Sequence, residues 1–305
     1  MPAPLEHFPK RVGDIYPGIA PAKFERIHDG KVVFGTSYPP QCLPSVPNLT
    51  IPAVTGGGTG LGLSAAKAFS QAGAKVFLSA RRAATLEIAK TEIESMGGEA
   101  DSAVADVTDS KSVVAAVVAA IQRFGKIGIV IANAGKDCPM GKSGEFDPED
   151  WYSTVDTSLK GCYFTTHATL PHIIKSQGYI ILISSSLAQT RALSPYNIVK
   201  HAIDRLAEWI DLECKTEGVK SFAVHPGAVP TELSSRFQHW LPSGHELFVD
   251  TPELSPRSYV RLTSGSENRL SGRFVDVEWD LDELAKMKTK IVEQDALKNR
   301  LALPT

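Results

Sequence analysis

Tyr196 and Lys200 end the run Tyr196-Asn197-Ile198-Val199-Lys200, and on a helix a separation of four sets both side chains on one face. A phenol beside an ammonium can do acid chemistry. A free tyrosine has a pKa of ~10, too high for efficient proton exchange near neutrality, but adjacent positive charge favours the phenolate and should lower it. Ser194-Pro195 reads as N-cap and first helical residue, so the positive end of the helix assists. Upstream, Ser184-Ser185-Ser186 follows the strand-like run Tyr179 to Ile183. A hydroxyl at that strand end can hydrogen-bond a carbonyl oxygen and stabilise charge as it develops there. The residues alone leave open which serine does so.

A second group has the types and spacing to bind a dinucleotide. Thr55 to Gly62 reads TGGGTGLG, with Ile51, Ala53 and Val54 before it as a buried strand and Leu61, Ala65, Ala68 and Phe69 after it at helical spacing. Thr55, Gly56, Thr59, Gly60, Leu61 and Gly62 therefore sit on a strand-to-helix turn. Residues without a Cβ let such a turn bend tightly and approach a pyrophosphate, at which the free amides of the helix start are aimed. About twenty residues on comes Ser79-Ala80-Arg81-Arg82, where such folds read the adenine ribose. An acidic residue there would accept from the 2′-hydroxyl of NAD. Ala80 stands in that place instead, and Arg81, with Arg82, offers a charged donor fork to the 2′-phosphate of NADP. NADP(H) is the expected cofactor, and its positive nicotinamide ring would add to the effect of Lys200 on Tyr196. Asp106-Val107, ending a third strand, is placed to flank the adenine, and Asn133-Ala134-Gly135 ends a fourth.

The elements that must hold these residues alternate from residue 48 onward. Strand-like Lys75–Ser79, Ser102–Val104, Gly128–Ala132, Tyr179–Ile183 and Val219–Val224 are interleaved with helical Ala84–Met96, Ser110–Phe124, Pro148–Lys175 and Pro195–Thr216. Such alternation builds right-handed βαβ crossovers and a doubly wound parallel sheet, an α/β fold covered on both faces. Pro52 conflicts with a central first strand, because it lacks a ladder donor. Residues 1–47 hold nine of the chain's 20 prolines and read as an arm, a solvated tail or a strap anchored by Phe24, Val32, Val33 and Phe34. Residues 48–305 form the domain. A net charge of −2 gives no footprint for nucleic acid or an anionic membrane. Cys42, Cys138, Cys162 and Cys214 are dispersed, as are the eight histidines, which fits reduced thiols in a cytoplasmic protein and no metal site.

The motifs together resemble the short-chain dehydrogenase/reductase family over roughly residues 48–280. The turn matches its TGxxxGxG spacing, Asn133-Ala134-Gly135 its NAG turn, Tyr196 and Lys200 its YxxxK pair, and Pro226-Gly227-Ala228-Val229-Pro230-Thr231 its PGxxxT segment around the nicotinamide. The arm and the ending Val277 to Leu284 look like fungal members. The resemblance implies a Rossmann-type sheet of about seven strands in a single domain with an N-terminal extension, Gly272 to Val275 being the last strand. It implies Tyr196 as proton donor, Lys200 binding the nicotinamide ribose and tuning Tyr196, Ser185 holding the carbonyl, and Pro226, Gly227, Val229 and Thr231 on the cofactor. One position departs. Where members commonly carry an Asn that fixes a helix kink and a water of the proton relay, this chain has Ser158, so reduced activity is expected.

The expected function is NADP(H)-dependent interconversion of a carbonyl and a secondary alcohol, the alternative being a cofactor-binding regulatory or scaffold protein. The stretch Ser234 to Asp250, with Phe237, His239, Trp240, Leu241 and Phe248, reads as a lid over a bulky apolar or aromatic small-molecule substrate. The resemblance also implies a homodimer or homotetramer through the helices near Trp151–Lys175 and Pro195–Thr216.

Overall fold

The structure is a computed structural model that describes residues 52–138, 140–186, 192–231, 234 and 248–301. The expected arm, most of the expected lid with Phe237, His239, Trp240 and Leu241, and part of the loop between Ser185 and Tyr196 lie outside these residues.

Seven strands, β1 (Pro52–Thr55), β2 (Val76–Ala80), β3 (Ala100–Val104), β4 (Ile129–Ala132), β5 (Tyr179–Ile183), β6 (Lys220–His225) and β7 (Arg273–Asp276), form one sheet in the order β3-β2-β1-β4-β5-β6-β7. Every pairing is parallel. The doubly wound, Rossmann-type sheet expected from the alternation is present. Val130, Ile131, Ile180, Ile181, Leu182, Ala223 and Val224 are buried, as befits central strands covered on both faces. The strand order reverses between β1 and β4, which opens a crevice at their C-terminal ends. Pro52 is accommodated because it is the first residue of β1, opposite Ile129, where a strand tolerates a missing N–H.

The helices are α1 (Gly60–Gln71), α2 (Ala83–Ser95), α3 (Ser110–Phe124), α4 (Pro148–Val155), α5 (Gly161–Ser176), α6 (Ser194–Cys214), α7 (Leu254–Leu262), α8 (Leu281–Lys286) and α9 (Lys288–Glu293). The single helix expected over Pro148–Lys175 is divided: a π-helical turn, Asp156–Lys160, joins α4 to α5. Asp147 starts α4 by accepting from the amides of Glu149 and Asp150, and Pro148 fits its first turn. Phe69 of α1 and Phe77 of β2 are among the largest fully buried side chains, each worth about 1.5–3 kcal/mol of burial. They fix α1, and so the glycine turn, on the sheet. Among the described residues no helix is long and apolar enough to cross a membrane.

Candidate active site

The glycine turn closes between β1 and α1. Gly56 and Gly60 have φ of +72° and +54°, the left-handed region that glycine enters without strain. A Cβ on Gly62 would lie 2.2 Å from the carbonyl oxygen of Gly56, so only glycine lets the helix start so close to the turn. Thr59 and Gly60 are exposed and Leu61 is half-buried, which leaves the start of α1 open to a ligand. The turn is tied across the switch point: Asn133 Nδ2 donates to the Thr55 carbonyl at 3.1 Å, and the Ala134 amide donates to Thr55 Oγ1 at 3.1 Å. Gly135 follows, exposed. These bonds make Asn133 a brace for the cradle, independent of any contact with a cofactor.

The ends of β2 and β3 supply the second part. Arg81 and Arg82 are exposed just beyond β2. Asp106 Oδ1 accepts from the amide and the hydroxyl of Thr108, both at 2.8 Å. The Thr108 amide holds the Asp106 carboxyl below its usual range against the opposing effect of burial, with help from the Thr108 hydroxyl and from the charges of Arg81 and Lys160. Val107 is buried under Gly161, where a Cβ would come within 2.6 Å of Val107 Cγ2.

The third part follows β6. Pro226, Gly227 and Val229 are buried, and Thr231 reaches the glycine turn, its Cγ2 3.7 Å from where a Gly60 Cβ would stand. Asp250 holds this loop: its Oδ2 accepts from the Ala228 amide at 2.5 Å, and its own amide donates to the Ala228 carbonyl at 3.1 Å. Sequence reasoning missed Asp250, because nothing in periodicity or motif spacing joins it to a loop 22 residues away.

Ser185, Tyr196 and Lys200 come together between β5 and α6. Ser185 is buried, and its hydroxyl is hydrogen-bonded to that of Tyr196. Lys200 is buried, its Nζ donating to the Ile183 carbonyl at 2.7 Å and lying 5.2 Å from the centroid of the Tyr196 ring. Ser184 turns away, 2.5 Å from Asp204, and Ser186 is exposed, so Ser185 is the serine that faces Tyr196. Two expectations are corrected. Leu193, not Ser194, occupies the N-cap of α6, without a side-chain cap bond, and the Ser194 hydroxyl instead accepts from Trp151 Nε1 at 3.3 Å. Tyr196 is not lowered: burial raises its pKa, against the Ser185 hydrogen bond and with a smaller push from Cys138. Burial also takes Lys200 down to about 8, because desolvation disfavours its charge. Cys162 and Asp204 oppose that fall. The Cys162 thiol is itself pushed up to about 12 by burial, so it stays neutral and Asp204 is the partner of consequence.

Ser158, buried in the π-helical turn, accepts from the Lys136 amide at 2.9 Å, and its hydroxyl lies 3.3 Å from the Lys136 carbonyl. It thus pins the chain just beyond Gly135, and the kink survives without an Asn. Among the described residues His225, Asp276 and Glu278 bring possible ligand atoms within 4.8 Å of one another; the register of β6 on β7 sets His225 beside Asp276, whose Oδ1 already accepts from the Glu278 amide at 2.9 Å.

A dinucleotide-binding enzyme is the class that this sheet and its switch-point turn define. Residues 51–242 match the family described as short chain dehydrogenase. The chain is 32% identical over 300 residues to the short chain dehydrogenase pigC of Monascus ruber, covering 93% of this chain and 90% of that one. It is 34% identical over 306 residues to the short chain dehydrogenase mpl6 of Monascus purpureus, with 96% of each chain covered. Among solved structures, a 3-ketoacyl-(acyl-carrier-protein) reductase from Brucella melitensis complexed with NADH superposes with a TM-score of 0.68 at 25% identity, over 82% of this chain and 97% of that one. The protein belongs to the short-chain dehydrogenase/reductase family, NAD(P)-dependent oxidoreductases that act on CH–OH groups.

Proposed function

We propose that the protein is an NADP(H)-dependent reductase of small-molecule ketones or aldehydes, reversible toward the secondary alcohol, with Tyr196 as general acid and base. The observation that carries this reading is the convergence of Ser185, Tyr196 and Lys200 beside the crevice. The glycine cradle fits a dinucleotide, because a Cβ at Gly62 would close it. Thr55 to Gly62 would hold the pyrophosphate, Arg81 and Arg82 the 2′-phosphate, Asp106 and Val107 the adenine, and Pro226 to Thr231 the nicotinamide end. When bound, the cofactor supplies hydride to the carbonyl carbon or takes it in the reverse direction. Ser185 donates to the carbonyl oxygen and Tyr196 delivers its proton there. The raised pKa of Tyr196 keeps it protonated at neutral pH, as a donor must be. Lys200, charged below about pH 8, favours the phenolate left behind. Ser158 takes over the kink-holding part of the missing Asn. The three described cysteines are unpaired and buried, in keeping with a cytoplasmic location.

The test is a fluorescence titration with NADPH and NADH, followed by a carbonyl screen with Tyr196→Phe and Arg81→Ala. NADPH should bind about tenfold or more tightly than NADH, as a charge-assisted phosphate contact of ~1.5–3 kcal/mol requires, and Arg81→Ala should erase that preference. Tyr196→Phe should abolish turnover and keep cofactor binding. Wild-type turnover in that variant would sink the mechanism.

A further inference from the structure

Asp204 stands one helical turn beyond Lys200 on α6, with a side chain only 9% exposed, and so far its one part is to oppose the fall of the Lys200 pKa. Its Oδ1 lies 2.5 Å from the hydroxyl of Ser184, the neighbour of Ser185, and its Oδ2 accepts from Asn299 Nδ2 at 3.2 Å. The Ser184 hydroxyl is also 3.2 Å from the Lys200 carbonyl, but it has one proton, and the nearer carboxylate takes it. Asn299 reaches Asp204 from beyond α9, and its amide also lies 3.0 Å from His201 Nδ1.

The segment that delivers Asn299 is held under constraint. Asp295 and Leu297 have φ of +47° and +63°, a region that a leucine rarely enters and that persists only where surrounding contacts over-determine it. Those contacts are present. Phe274 of the edge strand donates to the Leu297 carbonyl at 2.9 Å. Asp295 meets Arg273 at 3.3 Å, Lys298 at 2.6 Å and Arg300 at 2.6 Å. Buried Glu208 of α6 meets Arg300 at 2.5 Å and Lys298 at 3.6 Å.

We propose that residues 295–300 form a clasp on α6, and that Asn299 and Asp204 are positioning residues which fix Ser184, and with it Ser185, relative to Tyr196 and Lys200. The clasp rests on the reading of those three residues given above. It touches neither substrate nor cofactor. The polar groups facing Asp204 are Ser184 just beyond β5, Lys200 and His201 on α6, and Asn299.

The test compares the full chain with Asn299→Ala and Asn299→Asp by hydrogen exchange and by steady-state kinetics. Asn299→Ala should speed exchange over residues 183–186 and the first turns of α6, leave β2 and α1 unchanged, and lower kcat about three- to tenfold at unchanged cofactor affinity, the effect of one lost hydrogen bond. Asn299→Asp sets two carboxylates together; its larger loss of kcat at pH 8 should recover toward pH 6, where one carboxyl binds a proton and donates to the other. Unchanged exchange and kcat in Asn299→Ala overturn the proposal. So does a loss spread evenly over the chain with a fall in Tm, or a defect in Asn299→Asp that ignores pH. Should Tyr196→Phe keep wild-type turnover, the reading of the site fails, while exchange at residues 183–186 still decides the clasp.

Discussion

Lys200 joins the local chemistry to a solution measurement. Burial brings its pKa down to about 8, whereas an unfolded lysine titrates at ~10.4. In the proposed mechanism it is charged below pH 8 and favours the phenolate that would form as Tyr196 gives up its proton; above pH 8 that charge is lost. Carbonyl reduction should therefore be full below about pH 8 and fall as the pH rises through it. A kcat profile from pH 6 to 10 checks this, and Lys200→Met should remove the limb along with most of the rate. The stability effect has the opposite slope. Between about pH 8 and 10.5 the unfolded chain binds a proton that the folded chain does not, so Lys200 makes the fold more stable as the pH rises across that window. Thermal melts at pH 8 and 10 of the wild type against Lys200→Met read this difference.

At the scale of elements, the π-helical turn between α4 and α5 carries Ser158, a candidate site residue, and such turns are often found at functional sites. Ser158 holds it to the strand β4 side through the Lys136 backbone. In Ser158→Ala the Lys136 amide and carbonyl lose that partner, which should cost about 1–3 kcal/mol and lower Tm by several degrees. Ser158→Thr keeps a hydroxyl and should lose less. Equal melting of Ser158→Ala and wild type would show that the hydroxyl does not hold the turn. Gly62 gives a sharper case on the neighbouring turn, after β1 at the same edge of the sheet. Gly62→Ala drives a methyl against the Gly56 carbonyl, so dinucleotide binding should weaken at least tenfold in the same fluorescence titration.

For the whole molecule, α6 and the helices leading to it leave large apolar side chains in the open: Ile198, Trp209 and Leu212 on α6, Tyr152 on α4 and Tyr163 on α5. Side chains of this size gathered on neighbouring helices suit an interface. The protein should run in size-exclusion chromatography with light scattering at two or four times the 32.8 kDa of one chain, and Trp209→Glu should lower that mass. A wild-type mass of one chain would refute the assembly.

Much of this was legible in order along the chain. Tyr196 and Lys200 share a helix face because four residues make about one turn, and Thr55 to Gly62 reads as a cradle because only glycine tolerates its backbone; both are local consequences of residue type and spacing. The strand runs and their alternation fix a parallel sheet for the same reason, and the helix Ser110–Phe124 and the strand Tyr179–Ile183 stand where periodicity sets them. What tertiary structure decided are the pairings between distant residues. Ser185 rather than Ser184 faces Tyr196 because Asp204 draws Ser184 to the other side; Asp250 holds the loop at Ala228; Ser158 finds the Lys136 backbone and so keeps the kink. The direction of the Tyr196 shift was decided there too. Spacing sets a neighbouring charge, but desolvation depends on how many atoms surround the phenol, and only the packed fold determines that.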